Sequence, residues 1–362
     1  MRALALLLGL AATVTPVPAA ADCPAPALTA APTAEPTTAP PSADPATAPA
    51  ATPDCPPRWV HLGASVPAPE APPPPDRRLR AALAVGGIYA AFSAWAYLAW
   101  YRDVPSLASF GYGGDGFFGR NTYAGGADKL GHAWANLVLG RATAGVLRWG
   151  GFGRTTSAIT GSALAWGLFL AVEVKDGFYY KFSGGDALMN TAGATLSALL
   201  VMYPRLDELI DFRVAYWPSA EYLGLWRGEY YGSRKGNSLN IAEDYSGETY
   251  FLALHLGALP RPAATPRWAA TALDYLDLGV GFESRKYKPD APPEAVPRQH
   301  LFLGATVNLQ RVLDRTLGRS RRRGLRTTAR VGHAVLEHLA PPFSIVPVLG
   351  ASRDASGPAP EQ

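Results

Sequence analysis

The chain has 362 residues, of which 48% are apolar and 17% charged, with a net charge of +4. That length leaves room for two domains, or for a helical membrane body with an appended domain, and for a sizeable core. So few charges suit a membrane-associated protein, and so small a net charge argues against a nucleic-acid partner, although charge can still be concentrated locally.

Residues 1–21 read as a secretory signal. Arg2 supplies the positive start, an apolar run follows from Ala3 to Val14, and Val17, Pro18, Ala19, Ala20 and Ala21 form a small-residue cleavage context. The mature chain then begins near Asp22. Cys23 lies where a lipid anchor would attach, but Asp22 stands where a lipobox wants Gly, Ala or Ser. Cys23 and Cys55 are the two cysteines, and both flank the same low-complexity segment. In an oxidising compartment they could close a loop over it, with two incidental thiols as the plainer alternative.

Residues 22–75 are mostly Ala, Pro and Thr. Such a segment buries too little apolar surface to offset its ordering entropy, so a disordered, partly polyproline tether is expected. The island Arg58, Trp59, Val60, His61, Leu62 interrupts it.

Residues 76–204 predict a helical membrane bundle. The stretch 80–101 carries no charge between its ends and is long enough for a bilayer core, with Tyr89, Trp95, Tyr97, Trp100 and Tyr101 arranged like an interfacial belt. Residues 128–149 hold His132 and Arg141, which must face neighbouring helices; residues 155–174 are predominantly apolar and form the best span after the first; residues 186–202 are rich in small side chains. Short Gly-rich connections join these into a bundle of about four helices, embedded in a membrane or apposed to it. Orientation conflicts: a cleaved leader exports the amino terminus, yet Arg77, Arg78 and Arg80 precede the first segment, where positive-inside statistics favour the cytoplasm. Apposition from the outer side is the preferred resolution.

Residues 205–248 form an aromatic-rich connection with Tyr216, Trp217, Tyr222, Trp226, Tyr230 and Tyr231 beside Arg227, Arg234 and Lys235. Period-two alternation then predicts strands at 249–256, 276–282 and 301–309, within a small antiparallel sheet spanning 249–310. The last stretch, 311–362, is read as a basic segment, a short helix near 331–339 and a disordered tail. Arg321, Arg322 and Arg323 sit in its densest cationic cluster, where each charge attracts an anionic lipid surface by about 1 kcal/mol.

Ionisable groups inside apolar helices cost several kcal/mol by order of magnitude unless paired or hydrated, which makes Asp128, Lys129, His132, Glu173, Asp176, Asp186 and Asn190 the candidate site. Asp128 and His132, at i and i+4, share a helix face, with Lys129 turned toward the rim. Glu173 and Asp176 share another face, and Asp186, Asn190 and Gly193 a third. One imidazole with carboxylates suits a divalent metal, with His132, Glu173 and Asp186 as the ligand set considered. Alternatively a carboxylate orients His132 as a general base, with Asp128, Glu173, Asp176, Asp186 and Asn190 around it. The third reading is a buried ion-pair network that sets helix register, with Asp128, Ser183 or Asp186 as helix caps.

These residues carry a resemblance. The pattern Asp128-Lys129-x-Gly131-His132, Glu173-x-x-Asp176-Gly177-Phe178 and Ser183-x-x-Asp186-x-x-x-Asn190-x-x-Gly193 resembles the YfiM-like predicted periplasmic lipoprotein family, domain of unknown function 2279. Residues 243–250 and 276–282 resemble segments of its longer members. The resemblance implies an exported, envelope-associated protein without an assigned activity or catalytic residue. The Asp-Lys-x-x-His opening is also similar to VanZ-like membrane proteins, over one helix.

The leading functional expectation is a non-enzymatic component of the cell-envelope membrane, facing the periplasm, that binds membrane lipid or an envelope protein partner. The alternative is a membrane enzyme acting on a lipid-linked substrate, metal-dependent or not. A transporter ranks third, because so few segments leave little room for alternating access.

Overall fold

The computed structural model describes residues 75–113, 116–120, 122–228, 239–262, 264–287 and 295–355. The expected signal, tether and both cysteines, with Tyr230, Tyr231, Arg234 and Lys235, lie outside the described residues. The first helix, α1, spans Pro75–Ala96 and widens into a π-helical turn over Tyr97–Tyr101. Three further helices follow, α2 (Ala127–Trp149), α3 (Arg154–Tyr179) and α4 (Gly184–Met202).

Small residues bring these helices into backbone contact. A Cβ on Gly161 of α3 would lie 2.7 Å from the Gly140 carbonyl oxygen of α2, and one on Gly193 of α4 would lie 2.0 Å from that of Ala133. Ser162 of α3 donates to Ser197 of α4 at 3.0 Å. Along α1, Ala81 packs against Gly150, Tyr89 meets Thr143 at 3.2 Å, and Tyr101 donates to Asp176 at 2.7 Å.

Two helices are long and apolar enough to cross a membrane, Arg77–Tyr101 and Arg154–Tyr179. This corrects the expectation of about four. Segment α2 carries Asp128, Lys129, His132, Arg141 and Arg148, and α4 is only 19 residues long with Asp186 and Asn190 in its first two turns, which leaves too short an apolar stretch.

The carboxy-terminal part is a six-stranded mixed sheet in the order β5-β1-β2-β3-β4-β6. Its strands are β1 (Ile210–Tyr216), β2 (Glu248–His255), β3 (Leu276–Arg285), β4 (Arg298–Val307), β5 (Leu339–Ala340) and β6 (Val346–Asp354). Neighbours are antiparallel except β1 and β5, which pair in parallel. The sheet is therefore larger than the small antiparallel one expected. The β1 sequence, Ile-Asp-Phe-Arg-Val-Ala-Tyr, hides its strand character because Asp211 and Arg213 are buried as an ion pair. The described residues also include, beyond a single turn at Pro204–Asp207, the short helices α5 (Ala220–Trp226), α6 (Arg267–Asp274), α7 (Leu309–Thr316) and α8 (Arg323–Leu336). The short terminal helix expected near 331–339 thus begins earlier, and Arg323, Arg326 and Arg330 ride on it.

Part of one sheet face packs on α2. Phe212, Val214 and Tyr250 join Ala127, Ala133 and Leu137 in one core, with Phe282 at its margin. The sheet also holds the turn that starts α2. Ser284 donates to the Ala124 carbonyl at 2.7 Å and Gln299 to that of Gly125. Ala124, Gly125 and Gly126 all have positive φ there, and a Cβ on Gly126 would lie 2.8 Å from the Phe117 carbonyl oxygen. Glycine is required at that approach.

Candidate functional site

The sheet-anchored turn delivers Asp128 and Lys129 in the first turn of α2, with His132 one turn on and Asn136 after it. Helix α3 contributes Glu173 from its last third. Helix α4 begins at Ser183, whose hydroxyl accepts from the Asp186 amide at 3.2 Å, and presents Asp186 and then Asn190. All of these side chains converge. Asp128, Lys129, Asn136, Glu173, Asp186 and Asn190 are buried, and His132 keeps 19% of its side chain exposed.

Lys129 is the centre of the cluster. Its ammonium lies 3.0 Å from Asp128 Oδ2 and 2.7 Å from Asp186 Oδ1, with 1% of its surface exposed. This corrects the expectation that Lys129 points to the rim: the first-turn position lets its stem run inward between α2 and α4, where two carboxylates offset the loss of hydration.

His132 is held from both sides. Nδ1 lies 3.1 Å from Asn190 Oδ1 and 3.2 Å from Glu173 Oε1. Asn190 donates to Glu173 at 3.0 Å and Asn136 donates to Asn190 at 2.6 Å, so both neighbours of Nδ1 are acceptors and the ring proton belongs there. Nε2 faces Asp128 Oδ1 at 3.5 Å and Asp186 Oδ1 at 4.0 Å. Asp176, also expected near the site, accepts instead from Tyr101.

Asp128, His132 and Asp186 each offer a donor atom within 4.8 Å of the others, a separation that a divalent metal could bridge. Glu173 meets the opposite ring nitrogen, where it would orient the imidazole rather than share an ion with Asp186. The ammonium of Lys129 already supplies a positive charge between the two aspartates.

Sequence reasoning missed the downstream half of this centre. Tyr245 donates to Asp128 Oδ1 at 2.7 Å, tying the segment after α5 to α2. Burial and the Asp128 carboxylate push the Tyr245 phenol up. Nearby, Glu248 accepts from Tyr250, and burial first, then Asp244 and Asp128, push its carboxyl up to about 8. A polar pair flanking an aromatic strand start was the available signal.

A second buried network lies under the sheet. His255 sits 2.7 Å from Asp277 and 3.1 Å from Asp211, Arg213 reaches both aspartates, and Asn308 and Gln310 donate to the same Asp277 and Asp211 oxygens that His255 meets. Burial works against the His255 cation, yet hydrogen bonds to Asp211 and Asp277 hold it up at about 9. Arg141 of α2, expected to face its neighbours, pairs with Asp207 and Glu337. Arg321 and Arg322 are exposed between α7 and α8, and Arg323 is exposed at the first position of α8.

Residues 114–202 match the family described as a predicted periplasmic lipoprotein (DUF2279). The match covers the whole helical centre, from the turn before α2 to the end of α4, and leaves Tyr245 and the sheet beyond it. The family's description makes it exported and envelope-associated, as the sequence implied. The likeness to VanZ-like proteins is not shown by this match. No curated protein and no solved structure matches the chain.

Proposed function

We propose that this chain is a non-enzymatic envelope protein seated in a membrane, where its helices contact lipid and its buried charges lock the bundle together. One observation carries the reading: beside the buried Leu137, Phe169 and Leu200, the bundle turns its small and polar side chains inward and leaves large aliphatic ones outward. Gly161, Ser162, Glu173, Gly193 and Ser197 are interior, whereas Leu83, Ile159, Val174 and Leu188 are outward, with Ile159 55% exposed. Water penalises that arrangement and a hydrocarbon surround favours it, because close helix packing there relies on small residues and polar side chains are turned inward.

The network supports a structural role. Lys129 joins Asp128 and Asp186 from two helices, while Asn190 and His132 join Glu173 from the third. Breaking any link strands a charge in the interior, so register is specified. The exposed arginines 321, 322 and 323 fit anionic headgroups, as proposed from their density.

The test is membrane extraction. Wild type should remain in the pellet after an alkaline wash and be released by detergent, and Ile159→Lys with Leu188→Lys should lower the membrane-bound fraction. A wild-type protein released by the alkaline wash as a monomer would overturn the reading. A second reading, a membrane enzyme acting on a lipid-linked substrate, draws on the one exposed edge of His132 and its Glu173-oriented imidazole. His132→Gln separates the two: lost function at unchanged abundance favours the enzyme.

A further inference from the structure

The two faces of the sheet differ in a way the bundle does not explain. Register places Leu252, Val280, Leu303 and Leu349 in one row across β2, β3, β4 and β6. These are 45%, 45%, 53% and 69% exposed. The adjacent row on the opposite face runs Phe251, Gly281, Phe302 and Gly350, and both phenylalanines are buried. Leu278 and Val346 flank the exposed row and are also uncovered. A contiguous aliphatic surface of this kind marks a contact that the described residues do not supply.

Its size and its surroundings point to lipid. Four strands at about 4.8 Å spacing and a run of about six residues give a patch of roughly 14 by 20 Å, near 300 Å². A standard protein interface takes about 800 Å² from each partner, so the patch is small for a protein partner, whereas a lipid surface sets no minimum. The sheet end nearest the patch carries cationic and aromatic groups, although α7 itself packs on the opposite face through Gln310, which bonds Asp211 and Arg213. There β2 ends and β3 begins, joined through α6 with Trp268 at 77% exposure beside Arg267; there β4 ends and leads through α7 to Arg319, Arg321, Arg322 and Arg323. Among the described residues no ion pair holds these four arginines.

We infer that the Leu252–Val280–Leu303–Leu349 face of the sheet lies on an anionic bilayer surface, giving the protein a second membrane contact beside the helices. The aliphatic row meets acyl chains, while Trp268 and the arginines sit at headgroup level. This inference rests on the membrane-seated reading above.

The experiment uses the full chain with Cys23→Ser and Cys55→Ser, reconstituted in phosphatidylcholine vesicles with or without phosphatidylglycerol. A polarity-sensitive fluorophore is attached at Val280→Cys, on the sheet, or at Ile159→Cys, on α3. Doxyl-labelled lipid and aqueous iodide then serve as quenchers. The expected result is doxyl quenching at both positions, with the signal at 280 weakened when phosphatidylglycerol is omitted or when Arg321, Arg322 and Arg323 are changed to Gln. Doxyl quenching at 159 with iodide quenching at 280 overturns the sheet contact and leaves the bundle reading standing. A label at 280 shielded from both quenchers overturns it in favour of a protein neighbour. Iodide quenching at both positions overturns both readings.

Discussion

Replacing Lys129 by Met tests the interior lock most directly. The substitution keeps the length and apolar stem of the side chain and removes the ammonium that lies 3.0 Å from Asp128 and 2.7 Å from Asp186. Two buried carboxylates, one from α2 and one from α4, then face each other without it. Removing one partner of a buried pair costs about 3–5 kcal/mol, against a total stability of about 5–15 kcal/mol for an ordinary domain. Lys129→Met should therefore fall sharply in membrane abundance, and the detergent-extracted protein should unfold at a markedly lower denaturant concentration, read by tryptophan fluorescence. Adding Asp186→Asn removes one stranded charge, so the double variant should recover part of the loss, a coupling of about 0.5–3 kcal/mol in a double-mutant cycle. Wild-type abundance and an unchanged midpoint in Lys129→Met would refute the reasoning, because an ammonium that can be deleted freely is not holding the helices.

The remaining predictions follow from the same contacts. Metal analysis of the extracted wild type should find no stoichiometric divalent ion, because Lys129 already supplies the cation between Asp128 and Asp186; an ion lost in a folded His132→Ala variant would show that the cluster is a metal site. Gly193→Ala should abolish accumulation, since the added Cβ would lie 2.0 Å from the Ala133 carbonyl oxygen, whereas Gly167→Ala meets nothing within 4 Å and should gain about 1 kcal/mol in helix propensity, both read by denaturant midpoint. In the sheet network the folded His255 is held at about 9 against an ordinary 6.5, so its contribution is complete below pH 6.5 and lost as pH rises through 9. That is on the order of 3 kcal/mol. Glu248, raised from 4.5 to about 8 by burial, contributes a separate decline that begins above pH 4.5 and is complete near 8, while Asp211, held low despite burial by His255 and Arg213, adds stability that disappears below its ordinary range. Midpoints measured from pH 6 to 10 should fall in wild type and fall less in His255→Gln; parallel curves would remove the assignment.

Local patterning in the chain determined the helix faces and three of the strands. The i, i+4 spacings of Asp128 with His132 and of Asp186 with Asn190 are properties of one helix, and so are the small residues that allow Gly161 and Gly193 to meet α2. Alternation did the same for 276–282, where Leu278 and Val280 share a face with Phe282. Tertiary structure decided which way the ambiguous groups turn. Lys129 goes inward because carboxylates on two different helices receive it, and no window along one helix contains both. Strand β1 carries Asp211 and Arg213 at positions that read as solvent-facing until His255, Asp277 and Gln310 are brought from far along the chain. Alternation likewise marks Leu252, Val280 and Leu303 as one face of a sheet, but only the placement of α2 against Phe212, Tyr250 and Phe282 leaves that row uncovered. Spacing along a chain encodes direction relative to the local axis; burial depends on what arrives from elsewhere.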